Sequence, residues 1–333
     1  MAFLYITEQG AVLRKQGQRL VVEKDGVVLF DIPASKVKGV LIFGNVQVTT
    51  QAIHLALQLE IELALFSYHG RLLGQLTPPA TGNVALRQAQ YACKANPDFT
   101  LSFSRAVVAG KLRNGLAFVR EFSHNHPESG FEADVKKLDG LLSEIGAAED
   151  LASLLGFEGA GARIYFEVFA GMIRHSFSFE GRHRHPPPDP VNALLSLGYT
   201  MIYNEIGSML DGMGFDPYLG FYHQPRNGHA TLASDLIEEF RIPLVDRFTL
   251  GLINNRVFKE QDFYFHAASA GVVLKDEPRK RYFAEYERFV TRPMKTADGE
   301  VDMDFRRLFR RQAEKLRETV LDEVDYKPYT FAW

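Results

Sequence analysis

Three stretches of the chain carry side chains whose types and spacing could handle a cation or a phosphoryl group. The first is Gly156-Phe157-Glu158-Gly159-Ala160-Gly161, a carboxylate among glycines at what reads as the opening of a long helix. There the helix macrodipole and free backbone N–H groups would stabilise an anionic Glu158. The glycines would let a second backbone or a ligand come close. The second is Gly214-Phe215-Asp216-Pro217-Tyr218-Leu219-Gly220-Phe221-Tyr222-His223, where a turn at Asp216-Pro217 leads into a short, buried extended run with His223 at its rim. The third runs from Ala230 to Pro243 and reads as a helix capped by Thr231 or Ser234 that must end before Pro243. Asp235 and Glu238 are three apart on it, and Asp235 and Glu239 four apart, so these acids share a face beside the apolar stripe Leu232, Leu236 and Phe240. Like charges at those spacings repel by a few tenths of a kcal/mol, which a cation would offset.

Each stretch also has a plainer reading: a solvated helix-start Glu158, a hydrogen-bonded structural His223, and an acidic face neutralised by Arg241 or Arg247. Combined, two carboxylates and an imidazole form a mostly hard donor set. It suits magnesium or manganese, with the nitrogen shifting preference towards manganese. Such an ion activates a hydroxyl nucleophile, neutralises a phosphoryl oxygen and orients an in-line displacement. Competing chemistries are absent from the sequence: there is no P-loop and no dinucleotide glycine fingerprint. The single cysteine, Cys93, can build neither a disulfide framework nor a cysteine zinc site. His183 and His185 alternate with Arg182 and Arg184 ahead of Pro186-Pro187-Pro188, and that positive charge repels a metal, leaving a basic connector that could touch phosphate.

The elements that must position these groups differ between the two parts of the chain. From Phe3 to about Leu76, short β-branched runs are broken by turn residues, and Lys24-Asp25-Gly26 suits a hairpin turn. Thr49 to Gln58 reads as one helix that Thr49 or Thr50 can cap. Thr77-Pro78-Pro79-Ala80-Thr81-Gly82-Asn83 breaks the pattern as a linker would. Beyond it, apolar residues recur at three- and four-residue spacing over 85–95, 99–118, 131–145, 151–155, 162–173, 190–210 and 231–240, and in further segments to Val324. The expected fold is therefore α+β and multidomain: a β-rich domain with one helix over 1–77, a linker at 78–84, and a mostly α-helical domain over 85–333. From Pro278 to Arg317 the basic clusters Arg279-Lys280-Arg281, Arg306-Arg307 and Arg310-Arg311 read either as solvated faces of an amphipathic helix pair or as a phosphate track; nearby Glu285, Glu287 and Asp304 favour the first.

The net charge of −3 over 333 residues means any nucleic-acid surface must be a local basic patch. The start, MAFLYITEQG, lacks the basic flank and apolar core of a signal peptide, and runs such as Val27 to Phe30 are too short to span a bilayer. A cytoplasmic protein without membrane partners is expected.

Taken in order, the motifs resemble the CRISPR-associated integrase and endonuclease family of spacer acquisition over essentially the full length. The resemblance rests on Glu158-Gly159 with Ala162-Arg163 and Tyr165-Phe166; Arg182 and Arg184 ahead of Pro186-Pro187; and Asp189-Pro190-Val191-Asn192-Ala193-Leu194-Leu195-Ser196 with Gly198-Tyr199. It continues in Asp216-Pro217, Gly220-Phe221-Tyr222-His223 and Asp235-Leu236-Ile237-Glu238-Glu239-Phe240-Arg241. The resemblance implies insertion of spacer DNA into CRISPR arrays, by attack of a 3′-hydroxyl on a phosphodiester at the repeat boundary. It implies Glu158, His223 and Glu238 as catalytic metal ligands for magnesium or manganese, with Asp235 as the alternate. Tyr199, Arg226, Arg241, Arg247, Arg182 and Arg184 become candidates for holding DNA, and Asn192 for ordering its helix start. The implied partners are double-stranded spacer DNA, CRISPR repeat DNA, a second copy joined through the β-rich domain, and a small ferredoxin-like CRISPR subunit. One departure is Gly228-His229, where many relatives carry Gly-Arg; it puts in doubt one phosphate contact that the resemblance implies, not the metal site. Three other functions fit the same residues: a metal-dependent structure-specific nuclease of DNA repair, a transposon-borne integrase of the same fold, and a non-catalytic DNA-binding scaffold.

Overall fold

The computed structural model describes residues 2–68, 72–76, 83–175, 177–183, 186–267, 270–294, 303–322 and 324–331. The chain forms two compact units, one of residues 1–81 with 276–287, the other of 82–275 with 288–333.

In the first unit, β1 (Ala2–Ile6), β5 (Val37–Phe43) and β7 (Glu62–Phe66) pair in parallel, and β8 (Leu72–Leu76) adds antiparallel to β7. A second sheet runs β4-β3-β2-β6, from β2 (Val12–Gln16), β3 (Arg19–Lys24), β4 (Val27–Pro33) and β6 (Gln47–Val48). The β3–β4 connection is the expected hairpin: Asp25 and Gly26 take φ of 49° and 78°, the left-handed pair a two-residue turn needs. Helix α1 (Thr50–Gln58) begins where Thr49 accepts a hydrogen bond from the Ala52 N–H. Leu13, Leu20 and Val22 of one sheet, Val40, Ile42 and Leu63 of the other, and Leu55 of α1 share one core. The helical segment 276–287 returns to this unit, so the second domain is not the continuous 85–333 read from the sequence. The reason is aromatic: Phe283 packs on Tyr5 and Phe43 with ring centroids 5.1 and 4.7 Å apart. The expected linker at 78–84 falls largely outside the described residues.

The second unit is helical: α2 (Val84–Ala95), α3 (Pro97–Asn125), α4 (Glu132–Glu144), α5 (Leu151–Met172), α6 (Pro190–Gly212), α7 (Thr231–Phe240) and α8 (Arg247–Asn254). They are followed by the hairpin β9 (Phe263–His266) and β10 (Gly271–Leu274), the end of α9 (Asp276–Val290), and α10 (Phe305–Asp322). Two of these helices depart from expectation. The periodic segments 151–155 and 162–173 are one helix, which starts at the capping box of Asp150 and Ser153. Glu158 therefore stands about two turns in, beyond reach of the helix-start N–H groups. Gly161, three residues on, has a packing role: a Cβ there would collide with Leu112 of α3, so its absence lets α5 close on α3.

The second departure is at Pro243, where α7 does not terminate. Residues Arg241–Asp246 form a π-helical turn that joins α7 to α8. The wider turn absorbs the proline, which has no N–H to give. Nor do Thr231 or Ser234 cap α7; Ala230 holds the cap position, and Thr231 Oγ1 instead donates to the Tyr218 carbonyl at 2.6 Å and accepts from the Gly220 N–H at 2.8 Å. The basic clusters of 278–317 are only partly the solvated faces expected: Arg310 is exposed and pairs with Glu314 at 3.1 Å, but Arg279 and Arg306 are buried, Arg306 against Glu205 of α6 at 3.0 Å. Among the described residues, no helix is long and apolar enough to cross a membrane.

Candidate active site

Helices α3, α5 and α7 bring three groups to one point. Glu158 reaches across from α5 to the ammonium of Lys111 on α3, and Lys111 Nζ also lies 2.7 Å from Glu238 Oε2 on α7. Tyr222 donates its hydroxyl to the other oxygen of Glu158 at 2.6 Å. Arg241, one turn after Glu238, places Nε 3.0 Å from Glu238 Oε1. Burial works to raise the pKa of Glu158, but the Lys111 charge and the hydrogen bonds from Lys111 and Tyr222 hold it below its usual range. Burial likewise opposes ionisation of Glu238, yet the charges of Arg241 and Lys111 hold its carboxyl below the usual range. Both are anions near neutral pH. Glu238 is 1% exposed, and its two buried oxygens face Arg241 Nε and Lys111 Nζ.

His223 enters from the loop between α6 and α7, and Asp235 sets its orientation. Asp235 Oδ1 accepts from His223 Nδ1 at 2.7 Å and from the His223 N–H at 2.8 Å, while Oδ2 accepts from the Phe221 and Tyr222 N–H groups at 2.6 and 3.0 Å. A proton on Nδ1 leaves the Nε2 lone pair free, and Nε2 stands 3.9 Å from Glu238 Oε1. Gly220 makes the arrangement possible: a Cβ there would meet the Thr231 backbone at 2.7 Å and Asp235 Oδ2 at 2.8 Å. Four N–H donors occupy Asp235, so it holds the loop and the imidazole rather than standing open to a cation. Among the described residues, no three carboxylate, imidazole or thiol side chains close around a single point to form an ion cage. The Lys111 ammonium takes the central place between Glu158 and Glu238.

A cleft of about 630 Å³ opens beside Glu158 and Lys111, with Arg163, Arg182, Tyr199, Arg241 and Asp246 in its walls. Asp246 is fully buried; it accepts from the Tyr165 hydroxyl at 2.9 Å and from the Tyr199 hydroxyl. Burial raises its pKa to about 6 despite those hydrogen bonds and the charges of Arg241 and Arg182. Both guanidiniums lie over the Tyr199 ring, Arg182 at 5.1 Å and Arg241 at 4.8 Å. Asn192 Oδ1 accepts from Arg182 at 2.9 Å, and the Asn192 N–H donates to the N-cap carboxylate of Asp189 at 2.8 Å, so it orders the helix start and aims the arginine.

Glu158, His223 and Glu238 thus stand in one cluster, and Arg182 and Arg241 in the adjoining cleft. Tyr199 is at the cleft too, but its hydroxyl is committed to Asp246. Arg247 is paired with Glu121 at 2.6 Å and lies over Phe331, while Arg226 is on the exposed part of the 213–230 loop. Arg184 and His185 lie outside the described residues. His229, the departure from the family pattern, stacks on Tyr203 and meets the Ser234 hydroxyl at 2.9 Å. Lys111, Tyr222 and Asp246 escaped sequence reasoning. Lys111 is one basic residue in a long helical pattern, Tyr222 is legible only as the neighbour of His223, and Asp246 is hidden by the expected stop at Pro243.

The helical unit gathers two carboxylates and an imidazole next to a basic cleft, a set of hard oxygen donors and one nitrogen flanked by positive charge. The family model for CRISPR associated protein Cas1 matches residues 4–288. The chain is 34% identical over 337 residues, covering 99% of it and 98% of the relative, to a CRISPR-associated endonuclease Cas1 of Chlorobaculum tepidum. Among solved structures, the Cas6-RT-Cas1–Cas2 complex aligns with TM-score 0.83 at 26% identity, over 99% of this chain and 36% of that one. A casposase bound to integration product aligns over 100% of this chain and 95% of that one, with TM-score 0.87 at 19% identity, and shares the fold. The chain belongs to the Cas1 family of CRISPR-associated endonucleases.

Proposed function

We propose that the protein is a metal-dependent DNA integrase that inserts spacer DNA into CRISPR arrays, with Glu158, His223 and Glu238 holding magnesium or manganese. One observation carries the reading: Glu158 and Glu238 converge on one point deep in the helical unit, and Nε2 of His223 stands 3.9 Å from Glu238 Oε1. Hard carboxylate oxygens plus one imidazole nitrogen fit either ion. When bound, the ion would activate a 3′-hydroxyl and offset charge on the phosphoryl oxygen.

The chain's own residues do the rest. Asp235 keeps His223 in the tautomer that presents Nε2, and Tyr222 holds one oxygen of Glu158. Arg182 and Arg241 give the cleft positive charge against a phosphodiester. The incoming 3′-oxygen forms a P–O bond as the repeat-boundary P–O bond breaks, and the leaving 3′-oxygen takes up a proton. Bond count is conserved, as transesterification requires. The complex partners proposed are a second copy of this chain and a small ferredoxin-like CRISPR subunit, in a cytoplasmic setting. Edge strand β4 supports the first, because Val27, Val28, Leu29 and Phe30 are all exposed along it.

The test is integration of a short duplex into a supercoiled plasmid carrying a CRISPR repeat. Glu158→Ala, His223→Ala and Glu238→Ala should each abolish manganese-dependent strand transfer while retaining the native circular-dichroism spectrum. Full activity in His223→Ala would remove the proposed ligand set. Cutting without strand joining in the wild type would instead make the protein a structure-specific nuclease.

A further inference from the structure

The acidic cluster already contains a cation. Lys111 Nζ bonds Glu158 Oε1, lies 2.7 Å from Glu238 Oε2, and its side chain is 12% exposed. Lys111 comes from α3, and the close α3–α5 approach at Leu112 and Gly161 is what brings Glu158 to it. Lys111 and Arg241 both set positive charge against the carboxylates of Glu158 and Glu238, with Asp246 a further buried acid near Arg241. A divalent ion placed among the same carboxylates would be repelled by both cations in a buried setting, where low dielectric strengthens that repulsion. The ammonium also occupies the space between the two carboxylates, so ion and ammonium cannot both sit there. Arg241 is fixed by the Tyr199 ring and by its place one turn after Glu238. Lys111 is a flexible side chain on the wall of an open cleft, and so it is the charge that can leave.

We infer that Lys111 is the resident counter-ion of the ion-free site: it positions Glu158 and Glu238 for the metal, and the divalent ion binds by displacing its ammonium into the cleft. This rests on the reading of Glu158, His223 and Glu238 as the metal ligands. Lys111 would thereby set how tightly the metal is held. A cluster closed by its own cation stays folded when metal is scarce, at the cost of weaker metal affinity. Without Lys111 the carboxylates would repel, and metal would be held more tightly by a less stable protein.

Full-length protein tests this in three forms, wild type, Lys111→Met and Glu238→Gln, by manganese titration followed by electron paramagnetic resonance and by thermal melting in EDTA. Lys111→Met should bind manganese at least tenfold more tightly than wild type and melt lower in EDTA, with a larger rise in Tm on adding manganese. Equal or weaker manganese binding by Lys111→Met would overturn the inference. Glu238→Gln separates this from the reading beneath it: if manganese binds the wild type and Glu238→Gln alike, the ligand set itself is wrong and the inference falls with it. Should Lys111→Met fail to fold, reductive methylation of wild type followed by mass spectrometry gives the answer without a variant. Lys111 should be protected in EDTA and labelled several-fold faster with manganese; unchanged or slower labelling would overturn displacement.

Discussion

Asp235 Oδ1 accepts the Nδ1 proton of His223 at 2.7 Å, and this one bond decides which nitrogen of the imidazole faces Glu238. The same carboxylate gathers three backbone N–H groups of the 221–223 segment, so the orientation of His223 and the path of its loop have one cause. A carboxylate behind a ligating histidine raises its basicity and blocks ring rotation.

Asp235→Ala should therefore weaken strand transfer by roughly 10- to 100-fold, whereas Glu238→Ala abolishes it. It should also destabilise the fold by about 3 kcal/mol, because buried N–H groups lose their acceptor. Parallel activity assays and urea melts on the two variants check the ranking. An Asp235→Ala variant as inactive as Glu238→Ala but equally stable to wild type would make Asp235 a direct ligand.

Tyr199 and Arg182 should separate in DNA binding. Tyr199 gives its hydroxyl to buried Asp246, so Tyr199→Phe should lower stability by about 1–2 kcal/mol and leave DNA affinity unchanged. Arg182→Ala should weaken binding across sequences and reduce the salt dependence by about one phosphate contact. Fluorescence-anisotropy titrations at several salt concentrations distinguish the two. A lost phosphate contact in Tyr199→Phe would return that residue to the DNA surface.

Glu239 makes stability depend on pH. Burial raises its pKa to about 7, against the pull of hydrogen bonds from Tyr326, the Tyr329 N–H and Gln312. The folded state thus binds this proton more tightly than the unfolded chain, whose carboxyl is near 4.5. Its contribution is complete below pH 4.5, declines as pH rises, and is lost above 7; the span is at most roughly 3 kcal/mol. Urea melts from pH 5 to 8 should show wild type losing more stability than Glu239→Gln. Parallel pH curves for the two proteins would contradict the assignment.

Gly161→Val tests the helix contact that assembles the site. The added side chain meets Leu112, and separating α3 from α5 should cost about 1–3 kcal/mol and pull Lys111 from Glu158. Combining it with Leu112→Ala makes room and should recover part of both stability and activity. No recovery would mean that the glycine serves something other than this packing.

Local chemistry was readable without a structure wherever neighbours in sequence decide the outcome. Asp25-Gly26 makes its hairpin because those two residues tolerate positive φ, and Thr49 starts α1 because its hydroxyl reaches the Ala52 N–H. The helical periods and the acidic face of α7 are likewise local. Tertiary packing decided the rest. It carried one helix through Gly156, Gly159 and Gly161; of these, Gly161 is needed against Leu112 of α3 and does not mark an end. It turned Pro243 into a π-helical turn instead of a stop, which brought Asp246 under Tyr199. Above all it placed Lys111, 47 residues before Glu158 in sequence, between the two carboxylates. Sequence spacing sets which side chains share a helix face, whereas a charge held between three helices depends on how those helices pack.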